Sequence, residues 1–552
     1  MASLLPSISS NTTIPISFFS PFFPTTSGVS VSKRKKPCTT HKILSCKATK
    51  GDQNHINPPS SKNIGEYYPN HIAIDRRNAP FILGGVCGAA NVSNFDSSPL
   101  ERPVSPDLSS CGEPNVPCYV RPFDCCPPLI KGSIDFKPPP VSQLRIRPAA
   151  HLVDEHYKTK FARVIELMKA LPPEDPRNFM QQANVHCAYC NGAYKQEGYD
   201  VQLEIHSSWL FFPFHRLYLY FFERILGNLI DDPDFALPFW NWDHPGGMEM
   251  PDMFEAKAYR SLYDEHRNQN HIPPVVVDLN YDYLNRPRPN DEQKMLNLNT
   301  MHRQMISNST TPYLFFGRPY RGGDRPMQGP GSIECMPHNT VHNWCGDVRQ
   351  PKGEDMGIFY SAARDPLFYA HHSNVDRMWT IWDTLPNHKT TQIRDNDWHN
   401  SSFYFYDEKK DLARVKVHDC LDNKKLGYDY QKVGIPWLPG PPTPQMFTTT
   451  RKEARNGKET IIGSNDFPVV LDKEVRVEIR RPNQEEGEEI LVIEDIEIER
   501  DVFVKFDVYI NYEGDDGVDA LRPEFSEFVG SFVHLPHSCC KHGHKIQVYG
   551  WE

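Results

Sequence analysis

The stretch that decides the fold is His338-Asn339-Thr340-Val341-His342, followed downstream by Asp365-Pro366-Leu367-Phe368-Tyr369-Ala370-His371-His372-Ser373-Asn374-Val375-Asp376-Arg377-Met378-Trp379. Two histidines four apart project from one face of a helix. Asp365 can cap a second helix, and Pro366 suits its first turn, where a missing N–H costs little. That second helix carries His371 and His372 inside an apolar, aromatic run. Neutral imidazole is a ligand for copper, zinc, iron and nickel. Three imidazoles from two packed helices hold one metal and leave a position open for small-molecule chemistry.

Working upstream, His186, His206 and His215 form a second set. Nine residues separate His206 from His215, which places them on opposite faces of one continuous helix. Pro213 removes the difficulty by starting a new helix through Tyr218, Phe221, Phe222 and Ile225. His206 then sits near the end of one helix and His215 at the start of the next. Two three-histidine sets with no carboxylate ligand motif point to a paired metal of soft-to-borderline type.

Composition sets the outer bounds. A chain of 552 residues, 39% hydrophobic and 24% charged, is that of a soluble globular protein of more than one domain. A net charge of −10 argues against nucleic acid as a partner. No apolar run is long enough to span a membrane. Fourteen cysteines, with a group at Cys111, Cys118, Cys125 and Cys126, suggest disulfides and an oxidising compartment.

The two histidine segments resemble the copper A and copper B regions of type 3 copper proteins, specifically plant polyphenol oxidases (catechol oxidases and tyrosinases). The resemblance covers nearly the whole chain. It implies two copper ions, copper A on His186, His206 and His215 and copper B on His338, His342 and His372. Adjacent helical residues point about 100° apart, so His371 is left to a supporting or core role. In this family O2 binds between the coppers and oxidises a catechol to an ortho-quinone, or first hydroxylates a monophenol. The partners implied are O2 and small phenols; the oligomeric state is not legible.

The same resemblance implies further roles. Cys111 pairs with Cys126, and Cys125 with Cys187. Cys190 forms a thioether to His206, its plain alternative being a buried thiol. Glu334 orients a water near the coppers, which Asn339 shares, and helps deprotonate an incoming phenol. Phe359 is the gate over copper A. The plain alternatives are a surface charge for Glu334 and aromatic packing for Phe359. Asp376, one turn beyond His372, either orients a ligand histidine or pairs with a nearby arginine.

The expected organisation follows. Residues 1–46 hold Lys33, Arg34, Lys35 and Lys36 but no Asp or Glu, and match a transit peptide to a plastid or mitochondrion, the resemblance implying the plastid. A secretory signal around Ile14 to Phe23 is the rival, though prolines interrupt that run. In residues 47–90, Arg76-Arg77 precedes a short apolar run and looks like a twin-arginine signal to the thylakoid lumen. Residues 91–440 form the dicopper catalytic domain, mainly α and built on a four-helix bundle, with 244–330 as loops and short helices. Tyr428-Asp429-Tyr430 resembles the motif that closes it. Proline-dotted residues 441–463 are a linker, accessible to proteases from Thr448 to Gly463. Residues 464–552 alternate with period two, as a smaller C-terminal β-sandwich would, and the resemblance implies that this domain shields the active site. Lys505-Phe506-Asp507-Val508 resembles the signature of that domain. The chain ends at Glu552, a few strands earlier than is usual in the family, so the resemblance leaves closure of the β-domain open.

Three functions stand at this point: a catechol-oxidising enzyme with some monophenol hydroxylation, or a dedicated hydroxylase; an O2 carrier of the hemocyanin type; and a structural metal protein. The plant-type presequence and the Glu334–Asn339 pair favour the enzyme.

Overall fold

The computed structural model describes residues 102–440 with short gaps at 118–119, 122, 130–131, 256–258, 284–287, 351–352 and 387. It also describes three strands before residue 102, and strands and turns between residues 461 and 548. Apart from those three strands, the two targeting segments lie outside the described residues, as do Cys118 and most of the 441–463 linker.

Helices carry the central region. Asp154 caps Glu155–Lys169 by accepting from the Tyr157 N–H, and Asn178 caps Phe179–Cys190 by accepting from Met180. Phe211–Leu229 is buried on nearly every face, as expected for a helix that is apolar all round. It packs against Leu367–Trp382, which is equally buried. Asn339–Cys345 completes the set around the histidines.

Burying the Phe211 helix also buries Arg216 and Glu223, and each charge is met. Arg216 donates to Asp376 at 2.5 Å and lies 3.4 Å over the Trp379 ring. Glu223 accepts from Arg145 at 3.0 Å and from Arg147 at 2.8 Å. Asp376 also accepts from Tyr428 and Tyr430, both at 2.5 Å. Asp376 therefore ties the Tyr428–Tyr430 strand and Arg147 to the central helices and does not touch a histidine; the arginine-pair reading holds.

Local differences from the expectations have simple causes. The second-set helix begins at Phe211, with Pro213 inside its first turn, where its missing N–H is harmless. His206 lies in an irregular segment and not at a helix end. The 244–330 region contains a 13-residue helix, Asn290–His302, whose buried face carries polar side chains. Asn297 on that face donates to the Val277 carbonyl at 2.6 Å, so polar groups replace the apolar stripe that periodicity looks for.

The elements described in the C-terminal region are strands. One sheet runs Ile461–Gly463, Val475–Arg480, Thr13–Phe19, Val504–Ile510, Phe528–His534. Part of the segment read as a transit peptide thus pairs antiparallel with strands on both sides. A second sheet runs Val469–Val470, Ser45–Cys46, Ile496–Ile498, Ile546–Val548. Val477, Ile496, Phe506, Val508 and Phe532 form a separate core.

The Phe528–His534 strand rests on the helical region. Ser531 lies against Cys335, whose Sγ is 3.6 Å from the Ser531 carbonyl oxygen. Asn339 donates its side-chain amide to the Val533 carbonyl at 3.2 Å. Arg303 sits 4.6 Å over the Phe528 ring.

Candidate dinuclear metal centre

Two buried histidine groups face each other between the helices. His186, His206 and His215, with Cys190, each offer one donor atom within 4.8 Å of the others, and so do His338, His342, His371 and His372. His215 of one group stacks on His372 of the other with ring centres 4.2 Å apart.

Ring orientation is set by backbone carbonyls. Nδ1 of His186 lies 3.1 Å from Phe359 O, Nδ1 of His215 2.8 Å from Phe211 O, and Nδ1 of His342 2.8 Å from Met356 O. Nδ1 of His338 lies 3.0 Å from Asn339 Oδ1 and 3.2 Å from Glu334 O. An acceptor at Nδ1 fixes the proton there and leaves the Nε2 lone pair pointing inward. Nε2 of His186, His215 and His338 is buried with no hydrogen-bond partner. Nε2 of His342 and of His372 lie 3.2 Å apart.

Burial keeps these rings neutral. It pushes His186, His338 and His372 well below the usual histidine range, His215 down to about 3 and His342 down to about 4. Neutral imidazoles with inward lone pairs and no protein donor to occupy them are what a metal ion requires, so the residues fit a pair of bound metals.

His371 differs from its neighbour. The Trp242 indole N–H donates to His371 Nδ1 at 3.2 Å. A neutral ring that accepts at Nδ1 carries its proton on Nε2, which removes the inward lone pair.

The remaining candidate residues gather on one side. A cavity is lined by His206, Glu334, Asn339, Phe359, Val533 and Leu535, among others. Phe359 stacks on His206 with ring centres 3.9 Å apart and planes 8° from parallel. Ser207 adopts φ 54°, and its N–H donates to Glu334 Oε1 at 2.5 Å. Glu334 Oε2 is buried with no hydrogen-bond partner. Burial raises the Glu334 pKa well above the usual carboxylate range. Asn339 does not present its amide to the cavity here: its oxygen serves His338 and its nitrogen serves Val533.

Disulfides tie the preceding segment together and to the His186 helix. Cys111–Cys126 and Cys125–Cys187 are disulfides. Cys190 is a buried thiol beside His206.

Matches to known families cover most of this architecture. The common central domain of tyrosinase matches residues 176–385, the polyphenol oxidase middle domain 392–443, and the chloroplastic polyphenol oxidase C-terminal domain 467–549. The chloroplastic polyphenol oxidase of Malus domestica is 48% identical, over 99% of this chain and 92% of its own. The chain belongs to the plant polyphenol oxidase family. Aureusidin synthase of Antirrhinum majus is 53% identical over 81% of this chain and 82% of its own. The structure of latent apple tyrosinase superposes with a TM-score of 0.70 at 50% identity, covering 75% of this chain and 90% of that one. The fold is accordingly the mainly helical one of these enzymes. The chain is a copper-dependent oxidoreductase acting on phenols, and its cofactor is a dinuclear copper centre at the two histidine groups.

Several parts of this polyphenol oxidase site lay beyond sequence reasoning. Phe211, four residues before His215, could have been found from helical spacing. Trp242, Met356, Ser207 and Val533 are brought in from distant segments, and no local pattern marks them. No helix among the described residues is long and apolar enough to cross a membrane.

Proposed function

We propose that this polyphenol oxidase oxidises ortho-diphenols to ortho-quinones and hydroxylates some monophenols. Two catechols give up four electrons and four protons, and one O2 becomes two waters. His186, His206 and His215 would hold copper A; His338, His342 and His372 would hold copper B. When bound, the copper pair supplies O2 binding and the electron exchange with the phenol.

The chain's own residues do the rest. Carbonyl oxygens fix the tautomers of His186, His215, His338 and His342, and a thioether from Cys190 would fix the His206 ring. Phe359, flat on His206, limits the tilt of an aromatic substrate entering above it. Glu334 is the proton acceptor for a monophenol, acting through its free Oε2.

The observation that carries this reading is the unpartnered Glu334 Oε2 in a cavity shared with His206 and Phe359. An O2 carrier of the hemocyanin type has no need of a base there. Metal analysis with O2 uptake on 4-methylcatechol tests it. Two coppers per chain and quinone formation support it; reversible O2 binding without quinone, or bound zinc without redox activity, rejects it.

A second reading is a dedicated monophenol hydroxylase of specialised metabolism, and Glu334 beside Asn339 also fits that. The order of tyramine and its catechol partner separates the two. Plastid import with residues 1–46, onward transfer to the thylakoid lumen with 47–90, and a protease-sensitive 441–463 linker complete the proposal. Relatives named chloroplastic support the plastid address.

A further inference from the structure

Away from the copper centre, Asp264, His266 and Asp355 offer three donor atoms within 4.8 Å of one another. His266 Nδ1 lies 2.9 Å from Asp355 Oδ2 and 3.5 Å from Asp264 Oδ1. Ligands of one zinc ion, bonded at about 2.0–2.1 Å in tetrahedral array, stand roughly 3.3 Å apart. A protonated His266 would hydrogen-bond Asp355 and stand only at ion-pair distance from Asp264 Oδ1, which already accepts from the His266 backbone N–H at 2.9 Å. It leaves Asp264 Oδ2, which is buried and has no hydrogen-bond partner, on a side chain only 9% exposed.

The nearby cations are already committed. Arg267 forms a two-point pair with Asp365 at 2.7 and 2.6 Å, and also donates to the Phe254 and Leu262 carbonyls. Lys169 gives its ammonium to the Ser261 carbonyl. Burial, together with the Asp365 and Asp355 carboxylates, lifts Asp264 to about 7, the mark of a place with more negative charge than its partners neutralise. His266 keeps 40% of its side chain exposed, which gives an ion a way in.

We propose that Asp264, His266 and Asp355 bind a divalent first-row cation of the zinc class, a third metal position separate from the dicopper centre. Two carboxylate oxygens and one imidazole suit such an ion, with water completing its coordination. The ion replaces the proton on His266 Nδ1. It also joins two segments. Asp355 precedes Met356, whose carbonyl orients His342, and the same loop ends at Phe359, whose carbonyl orients His186. The cation therefore pins the loop that sets two copper-facing rings and the aromatic lid on His206.

The test uses the full-length, copper-loaded chain and Zn2+ alone. Metals are counted per chain after gel filtration, with hydrogen exchange followed over Gly353 to Phe359. The expected result is one zinc with both coppers retained, and slower exchange in that loop. Asp264→Asn and His266→Ala should each lose the zinc, keep both coppers and lose the exchange effect. His266 is the more exposed position, so that variant keeps the test intact if the Asp264 change impairs folding. No zinc beyond the coppers, zinc taken up only as copper leaves, or equal zinc in both variants would each overturn the proposal. Unchanged exchange in the loop would overturn the coupling. Copper content and catechol turnover are read separately, so failure here leaves the copper reading untouched.

Discussion

Trp242 and His371 are joined by one hydrogen bond, the indole N–H donating to Nδ1 over 3.2 Å. That bond sets His371 apart from His372, the one the proposed assignment gives to copper B. With the indole N–H as donor, His371 Nδ1 is an acceptor and not a metal ligand, whereas His372 Nε2 meets His342 Nε2 at 3.2 Å. His372→Ala should lose the copper B ion and all oxidase activity. His371→Ala should retain most of its copper. Copper analysis of the purified variants checks this, and equal loss in both would reverse the assignment.

A second expectation concerns the strand over the site. Val533 accepts from Asn339, and Leu535 is almost fully buried on the cavity. We expect a phenol to enter only once this segment moves. Cutting between Thr448 and Gly463 should raise catechol turnover. Leu535→Gly should raise it several-fold in the uncut chain, by widening the cavity without breaking the sheet. Turnover unchanged by both would show that the strand does not limit access.

Asp376 supplies a pH-dependent prediction. Burial works to raise its pKa, but Arg216 and Arg147, with hydrogen bonds from Tyr428 and Tyr430, hold it below the usual range. A carboxylate with a depressed folded pKa stabilises above its unfolded value near 3.9, and that stability is lost as pH falls through the folded value. Asp376→Asn leaves two buried arginines underpaired. It should lower the thermal midpoint at pH 7 by roughly 5–10 °C. The gap should close as pH is taken below about 4. A gap independent of pH would mean the variant acts through packing and not charge.

How much of this was legible beforehand depends on range. The His338/His342 spacing, the Leu367 helix and the strands at Val475–Arg480 and Val504–Ile510 are local patterns, and each stands in the structure close to its expected place. Asn290–His302 escaped because Gln293, Asn297 and Thr300 fill its buried face. The placement of His206 escaped because the turn at Ser207 has no periodicity to read. Trp242 on His371, Met356 on His342 and Val533 on Asn339 join segments far apart in the chain, and only packing shows them.

The last prediction concerns substrate. A catechol can release both protons and both electrons with little rearrangement, so its oxidation asks little of the surrounding protein. A monophenol must first lose its proton and then present its ortho carbon, which needs a base and a defined pose. Glu334 is placed for the first task and Phe359 for the second. Burial raises the Glu334 pKa with the strand in place, and water reaching it once Val533 and Leu535 move aside would favour the carboxylate. Diphenol oxidation should therefore be the faster reaction. Glu334→Gln keeps the acceptor for the Ser207 N–H and removes only the base. It should cut tyramine hydroxylation about a hundredfold while catechol oxidation falls far less. In the activated parent the hydroxylation rate should climb with pH as Glu334 ionises, and the variant should lack that rise. Hydroxylation equal to or faster than oxidation of the matching catechol, or a variant that hydroxylates like the parent at unchanged copper content, would remove Glu334 from this role.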